Sequence, residues 1–410
     1  MSAPDMPANT PVEASPAVDA DLPPPPRRLP DELILMVVDW CDKLLRDRLK
    51  TLAALVLPGK RYKDDVERRL YSRVVLEDGQ RADYTSAGAT RDALIRRPSL
   101  RHFVRAVELV YVHPRDGYAT ADVKQVLGDL PAVEELKCKS HTDSAADYIV
   151  SNPLVQIRRF ESCDQGWVVD DVLDYHTAAF ASLEILVLDT SGLPEGRHDI
   201  LCGVKNFTVT ELYEEDEHDL ARFTSPFAAT LTRLSLPITS ALATCEPTVY
   251  SSLQHLRLSD DYIQLDTLRR ATSGVVVFLA AATRLASLVS FEWHCMIAPW
   301  SASVRSDMLV ATSAAPTPIA QAFLAVVPPQ IRHLSLLTDC FAPADIAAYL
   351  LDDAQRPSQL ATLRIGDELG RGLGRILGGE VVDEVEGAEG PCGALAGVLE
   401  RAGVEVTTVE

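Results

Sequence analysis

One apolar pattern recurs through residues 100–410, and it constrains the fold more than any other feature of the chain. Each copy has an apolar residue, two variable residues, a second apolar residue, one variable residue and a third apolar position. The last two apolar positions are two residues apart, so both side chains point to the same side of an extended strand. One short strand cannot bury that side alone, whereas copies stacked side by side form a parallel sheet over a continuous core. The copies are Val104/Val107/Leu109, Val133/Leu136/Cys138, Ile157/Phe160/Ser162, Leu183/Leu186/Leu188, Val204/Phe207/Val209, Leu231/Leu234/Leu236, Leu253/Leu256/Leu258, Leu288/Phe291/Trp293, Ile331/Leu334/Leu336 and Leu360/Leu363/Ile365.

The spacing of these copies and the segments between them favour a repeated strand–helix unit. Most successive copies begin 21 to 29 residues apart, while two intervals of 35 and 43 residues require insertions, one of them at 298–318. Helical patterns fall at 121–130, 145–151, 171–180, 267–285 and 343–353. Strands that alternate with helices predict an α/β fold with a parallel sheet. An open α/β domain is the alternative to a solenoid.

The pattern resembles leucine-rich repeats, whose units have about 20 to 29 residues. The resemblance implies a solenoid of irregular form, because the Asn or Cys that this family places three positions after the last apolar residue is absent. The corresponding residues are Ser191, Thr239, Asp261 and Asp339.

Residues 29–76 precede the repeats and begin with an unusually apolar helix. Pro30 fits the first helical turn, and Asp31 and Glu32 suit the positive end of the helix dipole. A helix that is apolar on two adjacent faces must be covered on most sides, and three helices in about 45 residues bury little surface by themselves. The bundle therefore either caps the repeats or keeps an apolar patch for another protein. The two apolar faces are Leu33/Val37/Trp40/Leu44 and Ile34/Val38/Cys41/Leu45.

The strings LPDELILMVVDWC, LKTLAALV, KRY and RRLYSRVVL in this segment resemble an F-box. The resemblance implies a three-helix F-box bundle that docks on the Skp-type adaptor of a cullin–RING ubiquitin ligase, with a C-terminal domain that holds the substrate. The sequence departs from the family pattern in a charged link before Leu49 and in Pro58 and Gly59, which interrupt the helix before Tyr62. The implied adaptor contacts are Leu29, Pro30, Leu33, Ile34, Val37 and Val38, with Leu52 and Val56 behind them.

Composition divides the remaining chain into a tail, a linker and the repeats. Residues 1–28 contain eight prolines and few large apolar side chains, which predicts a disordered tail. Residues 77–99 are interpreted as a linker and residues 100–410 as the repeat domain. The formal net charge of −20 argues against nucleic acid as the partner. Residues 43–73, with ten basic and four acidic side chains, are the exception and are interpreted as the solvated face of a helix pair.

Enzyme, metal and membrane signals are missing or weak in the sequence. The glycine-rich stretch 370–374 lacks the spacing of a dinucleotide-binding loop, and the acidic stretches 214–219 and 378–390 are interpreted as loops. The eight cysteines lie at least 25 residues apart and are typical of reduced intracellular thiols. The longest apolar run, 275–282, is too short to span a bilayer. We predict no catalysis, no cofactor, no metal, no membrane contact and a location in the cytoplasm or nucleus.

Strand residues between the buried positions are predicted to face the concave side of the solenoid. Four later strands carry basic groups there, which predicts a site for an acidic or phosphorylated substrate segment. Neighbouring strands lie about 4.8 Å apart, so Arg233 and Arg257 are either screened by acidic neighbours or available to a negative ligand. The alternative is that these are ordinary solvated residues paired with acids. The candidate substrate-binding residues are Arg233, His255, Arg257, His333 and Arg364.

Three hypotheses about function remain open at this point. The first is a non-catalytic substrate-recognition subunit of a Skp–cullin–F-box ubiquitin ligase, with adaptor and substrate bound by different segments. The second is a leucine-rich-repeat scaffold of another pathway, in which the N-terminal helices cap the repeats. The third is an enzyme with an unrecognised site, which requires a deep pocket with convergent titratable groups.

Overall fold

The chain divides into two compact units, Met1–Val66 and Glu67–Glu410. The computed structural model describes residues 63–78, 86–111, 125–139, 149–150, 152, 155–163, 166–191, 193–195, 198–212, 219–263, 265–282, 285–297, 322–338, 341, 343–352, 356–366 and 404–409. The adaptor contacts predicted between Leu29 and Val56 lie outside these described residues. So do the predicted insertion at 298–318, the acidic stretches 214–218 and 378–390, and the glycine-rich stretch 370–374.

A single parallel sheet runs through the second unit. Its twelve described strands pair in the order in which they occur in the chain, so each inner strand lies between its predecessor and its successor. This sequential stacking is the architecture of a leucine-rich-repeat solenoid, and the predicted α/β fold with a parallel sheet is confirmed. The strands are β1 (Arg73–Asp78), β2 (Ala106–Tyr111), β3 (Glu135–Cys138), β4 (Arg159–Ser162), β5 (Ile185–Ser191), β6 (Asn206–Glu211), β7 (Arg233–Leu236), β8 (His255–Ile263), β9 (Ser290–Ile297), β10 (His333–Thr338), β11 (Thr362–Gly366) and β12 (Glu405–Val409).

All ten strands predicted from the repeated pattern are present, as β2 to β11, and their apolar positions face the core. The middle apolar position of the pattern forms one cross-strand row, in which Leu234, Leu256, Phe291, Leu334 and Leu363 are aligned. These side chains are at most 1% exposed. A shift of one residue would turn the whole row out of the core, which is why the apolar pattern determines the register.

A repeated hydrogen-bond pattern sets where each strand begins. The N–H groups of the residue before a strand and of the strand's first residue both donate to one carbonyl oxygen of the preceding repeat. At β7, Thr232 N and Arg233 N lie 2.8 and 3.0 Å from the Lys205 oxygen. At β8, Gln254 N and His255 N lie 2.9 and 3.0 Å from the Thr232 oxygen. The arrangement recurs from β3 to β11, so each repeat provides the acceptor on which the next strand starts.

Helices and 3₁₀ turns return the chain between the strands. The predicted helices at 171–180, 267–285 and 343–353 are present, whereas the described parts of 121–130 and 145–151 contain short helical turns at 125–127 and 149–150. The α-helices are α1 (Lys63–Ser72), α2 (Ser86–Arg96), α3 (Gly166–Tyr175), α4 (Thr177–Phe180), α5 (Leu220–Thr224), α6 (Leu265–Ala282) and α7 (Pro343–Leu351). The 3₁₀ helices are Pro98–Phe103, Asp199–Gly203, Ser240–Thr244 and Pro247–Val249.

One hydrophobic core extends beneath the sheet from Val74 on β1 to Val404, just before β12. Phe207 on β6 lies 5.5 Å, between ring centroids, from both Phe223 and Phe227, so the return segment after β6 packs directly on that strand. Thr239, at one of the positions where the family has Asn or Cys, caps the 3₁₀ helix Ser240–Thr244. It is 3% exposed, and its hydroxyl accepts a hydrogen bond from Ala241 N at 3.2 Å.

The sheet extends beyond the predicted repeats at both ends. β1 lies in the segment predicted to end the F-box-like bundle at residue 76, and α2 lies in the predicted linker 77–99. β1 therefore joins the sheet before residue 100, the predicted start of the repeat domain, and Val74 and Leu76 align with Val107 and Leu109 and are buried in the same core. The pattern does not identify β12, because Thr408 occupies the position that aligns with Ile365.

Candidate functional site

The strand side that faces away from the core forms what we call the open face of the sheet. In β3, Leu136 and Cys138 are buried while Glu135 and Lys137 are half-buried, and β4 and β6 alternate in the same way. Parallel pairing aligns the open-face residues of successive strands in two rows. The first row is Arg73, Ala106, Glu135, Arg159, Ile185, Asn206, Arg233, His255, Ser290, His333, Thr362 and Glu405. The second row is Val75, Glu108, Lys137, Glu161, Val187, Thr208, Ser235, Arg257, Glu292, Ser335, Arg364 and Thr407.

Charged groups on β1 to β4 pair with one another across the open face. Burial alone would lower the pKa of Lys137, but the hydrogen bond and charge of Glu161, with a further contribution from Glu108, raise it above its ordinary value. The basic and acidic groups of these strands therefore compensate one another. The ion pairs are Arg73–Glu135 at 3.6 Å, Lys139–Glu108 at 2.5 Å, Arg159–Glu161 at 3.4 Å and Lys137–Glu161.

Strands β5 and β6 present uncharged side chains in both rows. Just beyond the rows, Asp189 accepts hydrogen bonds from Thr210 Oγ1 at 2.5 Å and from Cys163 Sγ at 3.5 Å. Burial, followed by the charge of Asp189, raises the pKa of the Cys163 thiol to about 11. The thiol is therefore protonated at neutral pH and is not an activated nucleophile.

The five candidate substrate-binding residues all lie in these rows, on strands β7, β8, β10 and β11. Arg233, His255 and His333 belong to the first row, and Arg257 and Arg364 belong to the second. Arg233 and His255 are direct neighbours, whereas Ser290 separates His255 from His333. The sheet thus brings the five residues onto one face but spreads them along it. No pair other than Arg233 and His255 is directly opposed.

Arg257 has an acidic partner in its own row. Its Nε lies 3.7 Å from Oε2 of Glu292 on β9. The predicted contact between Arg233 and Arg257 is offset, because Arg233 is opposite His255 and Arg257 is opposite Ser235. Arg257 therefore fits the alternative interpretation of a strand residue paired with an acid.

Arg233 and Arg364 are different, because within the described residues neither has a carboxylate at ion-pair distance. Both side chains are exposed. Arg233 has Asn206 and His255 as its row neighbours, and Arg364 has Ser335 and Thr407. These two guanidinium groups carry the uncompensated positive charge of the open face.

The charges around His255 affect the pKa of its imidazole. Burial lowers the pKa of His255, and the charges of Arg233 and His333 lower it further, while Glu292 opposes them. His255 is therefore mainly neutral at pH 7 and gains a proton in more acidic solution. His333 is held by its neighbour, since its Nδ1 lies 2.8 Å from Thr362 Oγ1.

A cluster around the buried side chain of His198, which the sequence patterns do not identify, joins two repeats. His198 Nε2 lies 2.6 Å from Asp170 Oδ1, and His198 Nδ1 lies 3.0 Å from Asp174 Oδ1. Glu195 N donates to the second oxygen of Asp170 at 2.7 Å. The sequence signal is the spacing of Asp170 and Asp174, one turn apart on α3, but their partner lies in the next repeat. Because both ring nitrogens of His198 contact carboxylates of α3, we interpret the cluster as a structural connection between the two repeats.

Metal-binding and membrane-spanning arrangements were sought within the described part of the chain. No group of three or more His, Cys, Asp or Glu side chains there is placed to hold a metal ion. No helix there is both long enough and apolar enough to cross a bilayer.

Comparison with known proteins gives likenesses among solved structures only. No protein-family model and no curated protein matches the sequence. The leucine-rich repeat-containing protein LegL7 from Legionella pneumophila is 13% identical, with 82% of this chain and 89% of that chain covered and a TM-score of 0.40. The internalin inlF from Listeria monocytogenes is 12% identical, with 81% and 86% covered and a TM-score of 0.31. The strand order and the aligned apolar rows, and not these likenesses, assign the second unit to the leucine-rich-repeat architecture.

Proposed function

We propose that this protein is a non-catalytic recognition subunit whose repeat domain binds another protein through the open face. The observation that supports this is the pair of open-face rows, which run across successive strands while the opposite side of each strand is closed by the core. Repeat arrays use such extended surfaces to bind other proteins. The protonated Cys163 thiol and the ion-paired residues of β1 to β4 have structural rather than chemical roles.

A charge placed in the uncharged centre of the open face tests this proposal. Thr208→Arg on β6 introduces a long cation in the second row, and Val277→Arg on α6 introduces the same cation at an exposed site, since Val277 is 59% exposed. We expect the Thr208 variant to lose the proteins that the native chain captures from its own cell extract, and the Val277 variant to keep them. Equal capture by both variants, each with a native unfolding midpoint, would place binding elsewhere.

We further propose that the N-terminal unit docks on a Skp-type adaptor, which would make the chain a substrate-recognition subunit of a Skp–cullin–F-box ubiquitin ligase. The support is the F-box resemblance of residues 29–76, together with the division of the chain into separate compact units after Val66. In this arrangement the adaptor and the substrate would bind different units, and binding of one would not require the other.

Co-purification with a Skp-type adaptor tests the ligase role. The full chain with Val37→Asp should lose the adaptor, because a carboxylate would enter an apolar interface. Val277→Asp on the exposed side of α6 is the matched control and should retain it. If the native chain captures no adaptor, the ligase role fails while the protein-binding role of the open face stands.

A scaffold outside the ubiquitin pathway is the second candidate, and the early start of the sheet favours it. β1 (Arg73–Asp78) pairs with β2, so the last part of the segment that resembles an F-box belongs to the repeat domain. In a purely capping role, Val37→Asp would lower the unfolding midpoint of the whole chain, and no adaptor would be captured.

A further inference from the structure

We propose that strands β7 to β11 of the open face bind a segment of a partner protein that is rich in Asp and Glu. This inference rests on the proposed protein-binding function and names the chemistry of the partner. The observation behind it is that the cations at the two ends of the sheet differ in whether they have acidic neighbours. On β1 to β4 each described cation of the open-face rows has a carboxylate neighbour, whereas Arg233 and Arg364 have none among the described residues.

Local charge decides the binding preference even though the whole chain carries −20. At physiological ionic strength, charges farther apart than about 8 Å are largely screened. An acidic segment in contact with the sheet therefore experiences mainly the row neighbours of Arg233 and Arg364, which are uncharged or histidine, and their charged diagonal neighbours, Arg257 beside Arg233 and Glu405 beside Arg364. A carboxylate that reaches either guanidinium gains a charge-assisted hydrogen bond that no described residue of the chain supplies.

The spacing of the two guanidinium groups favours several carboxylates over one phosphate. Arg233 on β7 and Arg364 on β11 are four strand spacings apart, or about 19 Å. Phosphate recognition gathers several cations around a single dianion, which this separation prevents. An extended segment advances about 3.3 Å per residue, so about six residues span the two sites.

The residues between the two arginines suit a segment that runs along the first row from Arg233 and reaches Arg364 in the second row at β11. His333 and Thr362 offer polar groups there, and His255 is adjacent to Arg233. In the second row Glu292 repels carboxylates, although Arg257 partly neutralises it. His255 also adds a cation as the pH falls, and an acidic ligand beside it would favour that protonation. Binding should therefore be coupled to proton uptake.

A synthetic peptide of alternating Glu and Ser, about ten residues long, tests the site on the full chain, with its Gln–Ser twin as the uncharged comparison. We expect the Glu peptide to bind about tenfold more tightly than its twin at low salt, and less tightly as NaCl rises. The double variant Arg233→Gln, Arg364→Gln should lose most of that advantage. Arg159→Gln is the matched control in the first row, because its charge is already compensated by Glu161; it should bind the peptide within about twofold of native.

Three results would overturn the inference. They are equal binding of the Glu and Gln peptides, equal losses in the double variant and the Arg159 variant, and tighter binding of a phosphoserine peptide or of duplex DNA that depends on the same two arginines. Native unfolding midpoints for all variants exclude loss of fold as the cause. Failure of the peptide test, with capture still lost in Thr208→Arg, leaves the open face as the binding surface and removes only the acidic partner.

The pH dependence gives an independent readout of the same site. Peptide carboxylates remain ionised at pH 5.5, so a change of affinity between pH 7.5 and 5.5 reports on the protein. We expect the Glu peptide to bind about threefold more tightly at the lower pH, and His255→Gln to remove that gain. A gain that persists unchanged in His255→Gln would contradict the proposed position of the segment.

Discussion

Two buried tyrosine hydroxyls differ in their hydrogen bonding, and this gives a prediction at the scale of single residues. Within the described residues Tyr349 Oη has no hydrogen-bond partner, whereas Tyr250 Oη lies 2.7 Å from Thr224 Oγ1. Tyr349→Phe removes an unsatisfied buried hydroxyl and should raise the free energy of unfolding by about 1 kcal/mol. Tyr250→Phe removes a satisfied one and should lower it by about 1 kcal/mol. Chemical denaturation measures both, and a change of the same sign in the two variants would contradict the assignment.

The histidine on β8 gives a prediction about acid stability. Because the folded-state pKa of His255 is lowered, the unfolded chain binds a proton more readily as the pH falls below about 6.5. Its contribution to stability is therefore complete above that pH and is lost on acidification. Arg233→Gln should weaken this loss, since it removes one of the charges that oppose protonation. Unfolding midpoints of native and variant chains at pH 7.5 and 5.5 give the comparison, and equal acid shifts in both would refute it.

At the scale of elements, Glu67 on α1 and Arg97 after α2 form an ion pair that is buried on one side only. Glu67 has a side chain that is 7% exposed, while Arg97 is 44% exposed. Arg97→Ala leaves the carboxylate buried without its cation and should cost about 2 kcal/mol, less than a fully buried pair because Arg97 is half in water. Adding Glu67→Gln should recover part of that loss. A double variant less stable than Arg97→Ala would show that the pair does not act as described.

The strands were more predictable than the surface that they carry. The apolar rows identify β2 to β11, because one misplaced residue would expose a whole row. β1 has the same apolar pattern in Tyr71, Val74 and Leu76. It is not predicted as a strand, because the segment also resembles the end of an F-box and is interpreted as part of a helical bundle. Once the rows are aligned, the sequence also indicates that Arg257 meets Glu292. Among the described residues, Arg233 and Arg364 have no such acidic partner. This absence depends on all the neighbouring elements, so a local sequence pattern cannot predict it.

At the scale of the whole molecule, one core shared by stacked repeats should fail locally rather than all at once. Phe207→Ala removes a ring in contact with Phe223 and Phe227 and should cost about 3 to 5 kcal/mol. Because each repeat contacts mainly its neighbours, amide hydrogen exchange should accelerate first in β5 to β7, with β10 and β11 still protected. Exchange that accelerates equally in all strands would mean that the sheet unfolds as one cooperative unit.

From β3 to β11, the carbonyl that receives the N–H groups of a strand's first residue and of the residue before it belongs to the preceding repeat. During synthesis, the repeat with which a new strand pairs has therefore already been translated. No such strand depends on a repeat that is translated later. The sheet can be assembled in the direction of translation, one repeat at a time, each new strand pairing with the one formed before it. A ribosome stalled after any of the middle strands would then hold a shorter version of the same structure, rather than a chain that waits for its C-terminus.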